Sequence, residues 1–219
     1  MNEKVLQIMH EVGVMELGPI EAAVGRQPVY ADLRKTFFEP KGFAVLIDEL
    51  AKMIENLPID VLCGAETAGI PIATALSLKT GLPFSYVRKK KKDIGMKLAV
   101  EGEIKPDQKV ALVDDIFISD KNKTNFIEFI EETNAKVTHL ILLMDANLHK
   151  EEWLKDHPVE IIALATATDL TRYLMKIGYY SQDFGNLMID FWKNPEIWQT
   201  DQSRWEKFEA LKKDIKSKI

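Results

Sequence analysis

The sequence predicts an α/β fold: a mostly parallel sheet with helices on both faces, an N-terminal flap and a C-terminal helical extension. Three observations carry this. Apolar runs of strand length alternate with helical stripes, the strand runs are apolar almost throughout, and glycine or proline stands where the helices should stop. We expect one domain over residues 1–168, with residues 169–219 packed on it as an appended helical segment.

Val5, Ile8, Met9 and Val12 fall at i, i+3, i+4 and i+7, a helix ending near Gly13 that forms the flap. An extended segment follows over residues 28–34, where period-two geometry puts Tyr30, Asp32 and Arg34 on one face. Phe43, Leu46, Ile47, Leu50, Met53, Ile54 and Leu57 form a helical stripe that Pro58 stops. Ile59 to Cys63 read as a buried strand, Ile70 to Thr80 as a helix closed by Gly81, and Phe84 to Val87 as the next strand. Lys109 to Val113 read as a strand leading into a polar turn, Thr124 to Glu132 as a helix, and Val137 to Met144 and Val159 to Ala163 as strands. Thr166 to Asp169 read as helix capping, and Trp153 as part of a surface turn or short helix. Three further helices follow, carrying Trp192, Trp198 and Trp205; the stripe Phe184, Leu187, Met188, Phe191, Trp192 is expected to face its own domain.

Composition narrows the function. With 29 Lys+Arg against 34 Asp+Glu the net charge is −5, which excludes a broadly cationic nucleic-acid binder. Cys63 is the single cysteine, so an intramolecular disulfide and a cysteine-rich zinc site are excluded, and a reducing cytoplasm is expected. The four histidines show no metal-binding spacing, and no apolar run approaches the ~20 residues of a bilayer crossing, so neither a transition-metal site nor a membrane partner is expected. Only 5 of the cations are Arg, so an anion site must lean on Lys or on backbone amides.

In a parallel sheet, ligands bind beyond the strand carboxyl ends, and three such places carry chemistry. Asp114 and Asp115 follow the strand Lys109–Val113; they suit contact with sugar hydroxyls or a Mg²⁺-bound sugar, or serve as turn and cap residues. Gly64-Ala65-Glu66-Thr67-Ala68-Gly69 offers backbone amides that can cradle a pyrophosphate, or makes a tight strand-to-helix turn. Arg88, Lys89, Lys90, Lys91 and Lys92 leave a strand as five consecutive cations, either a solvated loop or an anion patch. Cys63, at the apolar end of its strand, reads as an inert buried thiol.

Taken in order, these segments resemble orotate phosphoribosyltransferase, of the type I phosphoribosyltransferases, over nearly the whole chain. Gly25 to Arg34 looks like the family's opening segment, Glu66 to Pro71 like its pyrophosphate loop, and Tyr86 to Lys89 like the start of its catalytic loop, closed by Glu101-Gly102. Val113-Asp114-Asp115 heads its phosphoribosyl-pyrophosphate (PRPP) motif. The resemblance implies transfer of ribose 5-phosphate from PRPP to orotate, with Mg²⁺, in a homodimer. It implies that Lys92, Asp114 and Asp115 are catalytic, the two Asp also serving the metal, and that Tyr30 and Arg34 lie at the base. It implies PRPP contacts from Glu66, Thr67, Ala68, Gly69, Arg88, Lys89, Lys92, Asp114, Asp115, Ser119, Lys121 and Asn122.

The sequence departs from that pattern at functional positions. Ile118-Ser119-Asp120-Lys121-Asn122 stands where the family has a glycine-bearing turn that wraps the 5-phosphate, and both glycines are missing. A carboxylate at ~4 Å from one phosphate charge costs about 4 kcal/mol at an effective dielectric near 20, which Lys121 or Lys123 would offset by turning inward. Ile94 replaces a loop histidine, while Ala23-Val24 and Ala146 stand at the positions that read the orotate carboxylate. Two readings therefore stand: a phosphoribosyl transferase, and a catalytically silent member that binds PRPP or a nucleotide as a regulatory dimer.

Overall fold

The computed structural model describes residues 2–22, 25–91, 99–118, 120–146 and 150–216. Helix α1 (Glu3–Glu11) buries Val5, Leu6, Ile8 and Met9, so the expected flap opens with a helix fixed in the core. Strands β1 (Met15–Ala22) and β2 (Gly25–Ala31) then form an antiparallel hairpin. β1 escapes sequence reading because its run Met-Glu-Leu-Gly-Pro-Ile-Glu-Ala alternates only weakly and holds a proline.

Leu33–Phe38 is a short 3-10 helix and not the continuation of a strand, so Tyr30, Asp32 and Arg34 do not meet by strand alternation. Side-chain hydrogen bonds bring them together instead: Arg34 Nε donates to Asp32 Oδ1 at 2.6 Å, and Arg34 Nη2 to Tyr30 Oη at 3.3 Å.

Helix α2 (Pro40–Ile54) begins on proline, whose missing N–H costs nothing in a first turn. Strand β3 (Val61–Ala65), helix α3 (Gly69–Thr80) and strand β4 (Phe84–Val87) follow, with Gly81 ending α3 at φ +77°. After β5 (Val100–Glu101) comes β6 (Lys109–Phe117), then α4 (Asp120–Glu131), β7 (Lys136–Asp145), α5 (Glu151–Asp156) and β8 (Glu160–Thr166). The sheet order is β5-β4-β3-β6-β7-β8, parallel except for β5 at the edge.

Alternate residues of the central strands explain their continuous apolarity. Val110 and Leu112 of β6 pack with Phe126, Ile127 and Ile130 of α4, while Ala111 and Val113 join the cluster of α2 and α3 on the other face. β6 corrects one expectation: the polar turn placed after Val113 is strand as far as Phe117, so Asp114 and Asp115 are strand residues. Phe117 anchors that extension, fully buried with its ring 5.0 Å from Trp153. Trp153 itself is buried, not at the surface, and its indole N–H donates to Thr124 Oγ1 at 2.9 Å.

The tail forms helices α6 (Ala167–Lys176), α7 (Gln182–Lys193) and α8 (Gln202–Lys216). Thr166 and Asp169 make a reciprocal capping box at the start of α6. Phe191, Trp198, Trp205 and Phe208 pack edge to face, and Phe184 lies tilted against Phe208, in the same apolar cluster as α1 and α2. The tail also grips the hairpin: Gln199 Oε1 accepts from the Arg26 N–H at 3.1 Å, its Nε2 donates to the Arg26 carbonyl at 3.1 Å, and the Arg26 guanidinium lies 4.2 Å from the Trp205 ring. Among the described residues no helix is long and apolar enough to cross a membrane.

Candidate functional site

A cavity of about 700 Å³ opens at the carboxyl ends of β3 and β6, roofed on one side by the β1–β2 hairpin. Most of its walls come from segments that the sequence singles out. From the hairpin and its continuation come Tyr30 and Arg34, from the β3–α3 loop Glu66, Thr67 and Ala68, from the segment after β4 Lys89, and from β6 Asp114 and Asp115. Asn122, on the first turn of α4, completes the set of expected residues that line it.

The β3–α3 loop is shaped by close packing. A Cβ on Gly69 would lie 2.0 Å from the Val113 carbonyl oxygen, so only glycine lets the start of α3 rest against β6. Gly69 thus supports the loop from beneath, while Thr67 and Ala68 face the cavity. The Glu66–Thr67 peptide is cis. Glu66 Oε2 accepts the Lys89 N–H at 2.8 Å, which ties the loop to the start of the basic run.

The basic run does not converge on the cavity as a block. Arg88 points to Glu101, 3.7 Å away, and Lys91 to Glu132 at 2.8 Å, so among residues 88–91 Lys89 alone lines the cavity. Lys92, Ser119 and the side chain of Lys121 lie outside what is described, as do Ala23, Val24 and Ile94. Ala146 is buried at the end of β7, where its N–H donates to the Phe117 carbonyl at 2.9 Å, and it does not line the cavity.

Asp114 and Lys123 form the electrostatic centre of the site. Their side chains are 12% and 6% exposed, and Lys123 Nζ donates to Asp114 Oδ2. Burying either charge alone would cost several kcal/mol, so each requires the other. Asp114 Oδ1 also accepts the Asp115 N–H at 2.9 Å, and Asp115 Oδ1 accepts the Ile116 N–H at 2.8 Å. Burial, and after it the Asp114 carboxylate, push the Asp115 carboxyl up to about 7.

Sequence reasoning left several lining residues out: Glu16, Ile20, Glu21 and Gln27 of the hairpin, Phe126 and, as a site residue, Lys123. The hairpin residues leave no pattern to find, since β1 itself is not legible. Lys123 does leave one. With Phe126, Ile127 and Ile130 it falls at i, i+3, i+4 and i+7, the buried face of α4, where a lysine needs an acidic partner.

The phosphoribosyl transferase domain family matches residues 35–168. The orotate phosphoribosyltransferase of Methanosarcina mazei is 30% identical over 172 residues, 78% of this chain and 92% of that protein. Among solved structures, Leishmania donovani UMP synthase aligns with a TM-score of 0.77 at 22% identity, over 87% of this chain and 42% of its own longer one. The orotate phosphoribosyltransferase of Aeropyrum pernix aligns with a TM-score of 0.68 at 24% identity, over 80% of this chain and 98% of that one. The fold is that of a type I phosphoribosyltransferase. The chain belongs to the orotate phosphoribosyltransferase family.

That family generally uses Mg²⁺ with PRPP. The donors here do not fit an ion held by the protein: Asp114 is engaged by the Lys123 ammonium and one Asp115 oxygen by a backbone N–H. Among the described residues no group of three or more His, Cys, Asp or Glu could hold a metal ion.

Proposed function

We propose that this protein binds PRPP in the cavity between the hairpin and the ends of β3 and β6, and transfers its ribose 5-phosphate to a base. Orotate is the acceptor to test first, because the relatives carry that name. The observation that supports this reading is the convergence of the pyrophosphate-loop, acidic-pair and opening-segment residues in one cavity of about 700 Å³.

In this reading the Thr67 and Ala68 backbone and Lys89 receive the pyrophosphate, and Asp114 and Asp115 face the ribose hydroxyls. Tyr30, held by Arg34, lies beside the base. The bond from ribose C1 to the pyrophosphate oxygen breaks, a C1–N bond to the base forms, and the base releases its N–H proton. Such a reaction needs positioned charge around a cationic ribose and a departing anion more than it needs a nucleophile. Arg88 and Lys92, expected from the family, would reach the pyrophosphate only by turning to it; Arg88 now faces Glu101. A homodimer in the cytoplasm belongs to the same proposal.

Lys123 favours a second reading. Its ammonium neutralises the carboxylate that would stabilise a cationic ribose, so the pocket would bind PRPP or a nucleotide without turnover. Incubating the full chain with PRPP, Mg²⁺ and orotate, and measuring pyrophosphate and orotidine 5′-phosphate, separates the two. Stoichiometric formation of both products supports transfer. A calorimetric binding signal without products supports the silent reading, and neither signal removes both.

A further inference from the structure

We propose that Lys123 takes the place of a divalent cation beside Asp114, so that this pocket binds its sugar phosphate without a divalent metal. The inference rests on the PRPP-binding reading above and goes beyond it to the cation requirement. Three observations carry it. First, the Lys123 ammonium is bonded to Asp114 Oδ2 and lines the cavity with it, so a positive charge already stands against a carboxylate that the resemblance assigns to the metal. Second, the ammonium is built in: helix packing alongside Phe126, Ile127 and Ile130 puts the Lys123 stem on the buried face of α4, and the side chain is 6% exposed. A divalent ion at Asp114 would meet this fixed charge at close range, and the repulsion is scarcely screened where water is excluded.

Third, the cavity needs that charge. Its described lining holds six carboxylates, Glu16, Glu21, Asp32, Glu66, Asp114 and Asp115, against three cations, Arg34, Lys89 and Lys123. Arg34 is bonded to Asp32 and Lys123 to Asp114, so each of these cations reaches an anionic ligand while holding its carboxylate, and Lys89 adds a third charge. A lysine is suited to the task, since its ammonium carries three donors: one serves Asp114, and two can reach hydroxyl or phosphate oxygens.

The test is calorimetric titration of the full chain with PRPP, once in excess EDTA and once in excess Mg²⁺. The wild-type protein is expected to bind with dissociation constants equal within a factor of about three. Lys123→Met is expected to weaken binding in EDTA at least about tenfold and to recover part of it with Mg²⁺, while Lys123→Arg, which keeps the charge, retains binding in EDTA. Wild-type binding that appears only with Mg²⁺ would overturn the inference and leave the PRPP reading standing. Lys123→Met binding that is as strong in EDTA as wild type would do the same. No wild-type binding in either condition overturns both.

Discussion

The Asp114–Lys123 pair can be measured by a double-mutant cycle. Both side chains are nearly closed to solvent, so Lys123→Met leaves the Asp114 carboxylate buried without its cation, and Asp114→Asn leaves the ammonium likewise. Removing one partner of such a pair costs about 3–5 kcal/mol, whereas replacing both can be close to neutral. In a protein of this length each kcal/mol lowers the melting temperature by about 2–4 °C, so each single variant is expected to melt roughly 6–20 °C below wild type. The double variant Asp114→Asn/Lys123→Met should melt well above either single one, a coupling of at least about 2 kcal/mol. Thermal unfolding followed by circular dichroism at pH 7 supplies the numbers. Single variants within about 2 °C of wild type, or strictly additive shifts, would refute a buried pair and with it the argument that this site is filled by its own cation.

Three further outcomes follow from the same structure. Gly69→Ala drives a Cβ against the Val113 carbonyl, and is expected to lower stability by about 1–3 kcal/mol in denaturant unfolding; a neutral variant would mean the β3–α3 loop is not packed on β6. Gln199→Ala removes both hydrogen bonds to the Arg26 backbone, so amide exchange at Arg26 should rise about tenfold while global stability barely moves; unchanged exchange would show that the tail does not hold the hairpin. Burial pushes the Cys63 thiol from 9.0 up to about 12, so folding favours the protonated thiol. The stability this confers is complete below pH 9 and is lost as pH rises from 9 toward 12. Cys63→Ala should therefore flatten the alkaline decline measured by urea unfolding, and an identical decline in both proteins would contradict it.

What the sequence showed and concealed follows from the range of the interactions involved. The central strands are legible because burial on both faces demands unbroken apolar runs, as in Val110–Val113 and Leu140–Met144. The capping box at Thr166 and the glycine stop at Gly81 are legible because backbone hydrogen bonds are satisfied locally. The loop Glu66–Gly69 is legible because it joins a buried strand to a helix, and the pair Asp114–Asp115 because two acids follow an unbroken apolar run. Concealed were features fixed by distant parts of the chain. Strand β1 exists because β2 pairs with it and the tail holds the hairpin, neither of which its own residues display. The strand course of Asp114 and Asp115 depends on Phe117 finding Trp153, 36 residues on, and on pairing with β7. Lys123 was legible as a cation able to turn inward, but its partner Asp114 was not, because the two meet only when the buried stripe of α4 is set against β6.

The cavity at the ends of β3 and β6 is proposed to be a PRPP site. The most direct measurement is a crystal structure of the full chain grown with PRPP. PRPP is expected in that cavity, its pyrophosphate on the Thr67–Ala68 backbone and its ribose hydroxyls against Asp114 and Lys123, with that pair intact. Crystals grown in saturating PRPP with the cavity free of it, or with the ligand seated elsewhere on the protein, would show that this cavity is not a PRPP site.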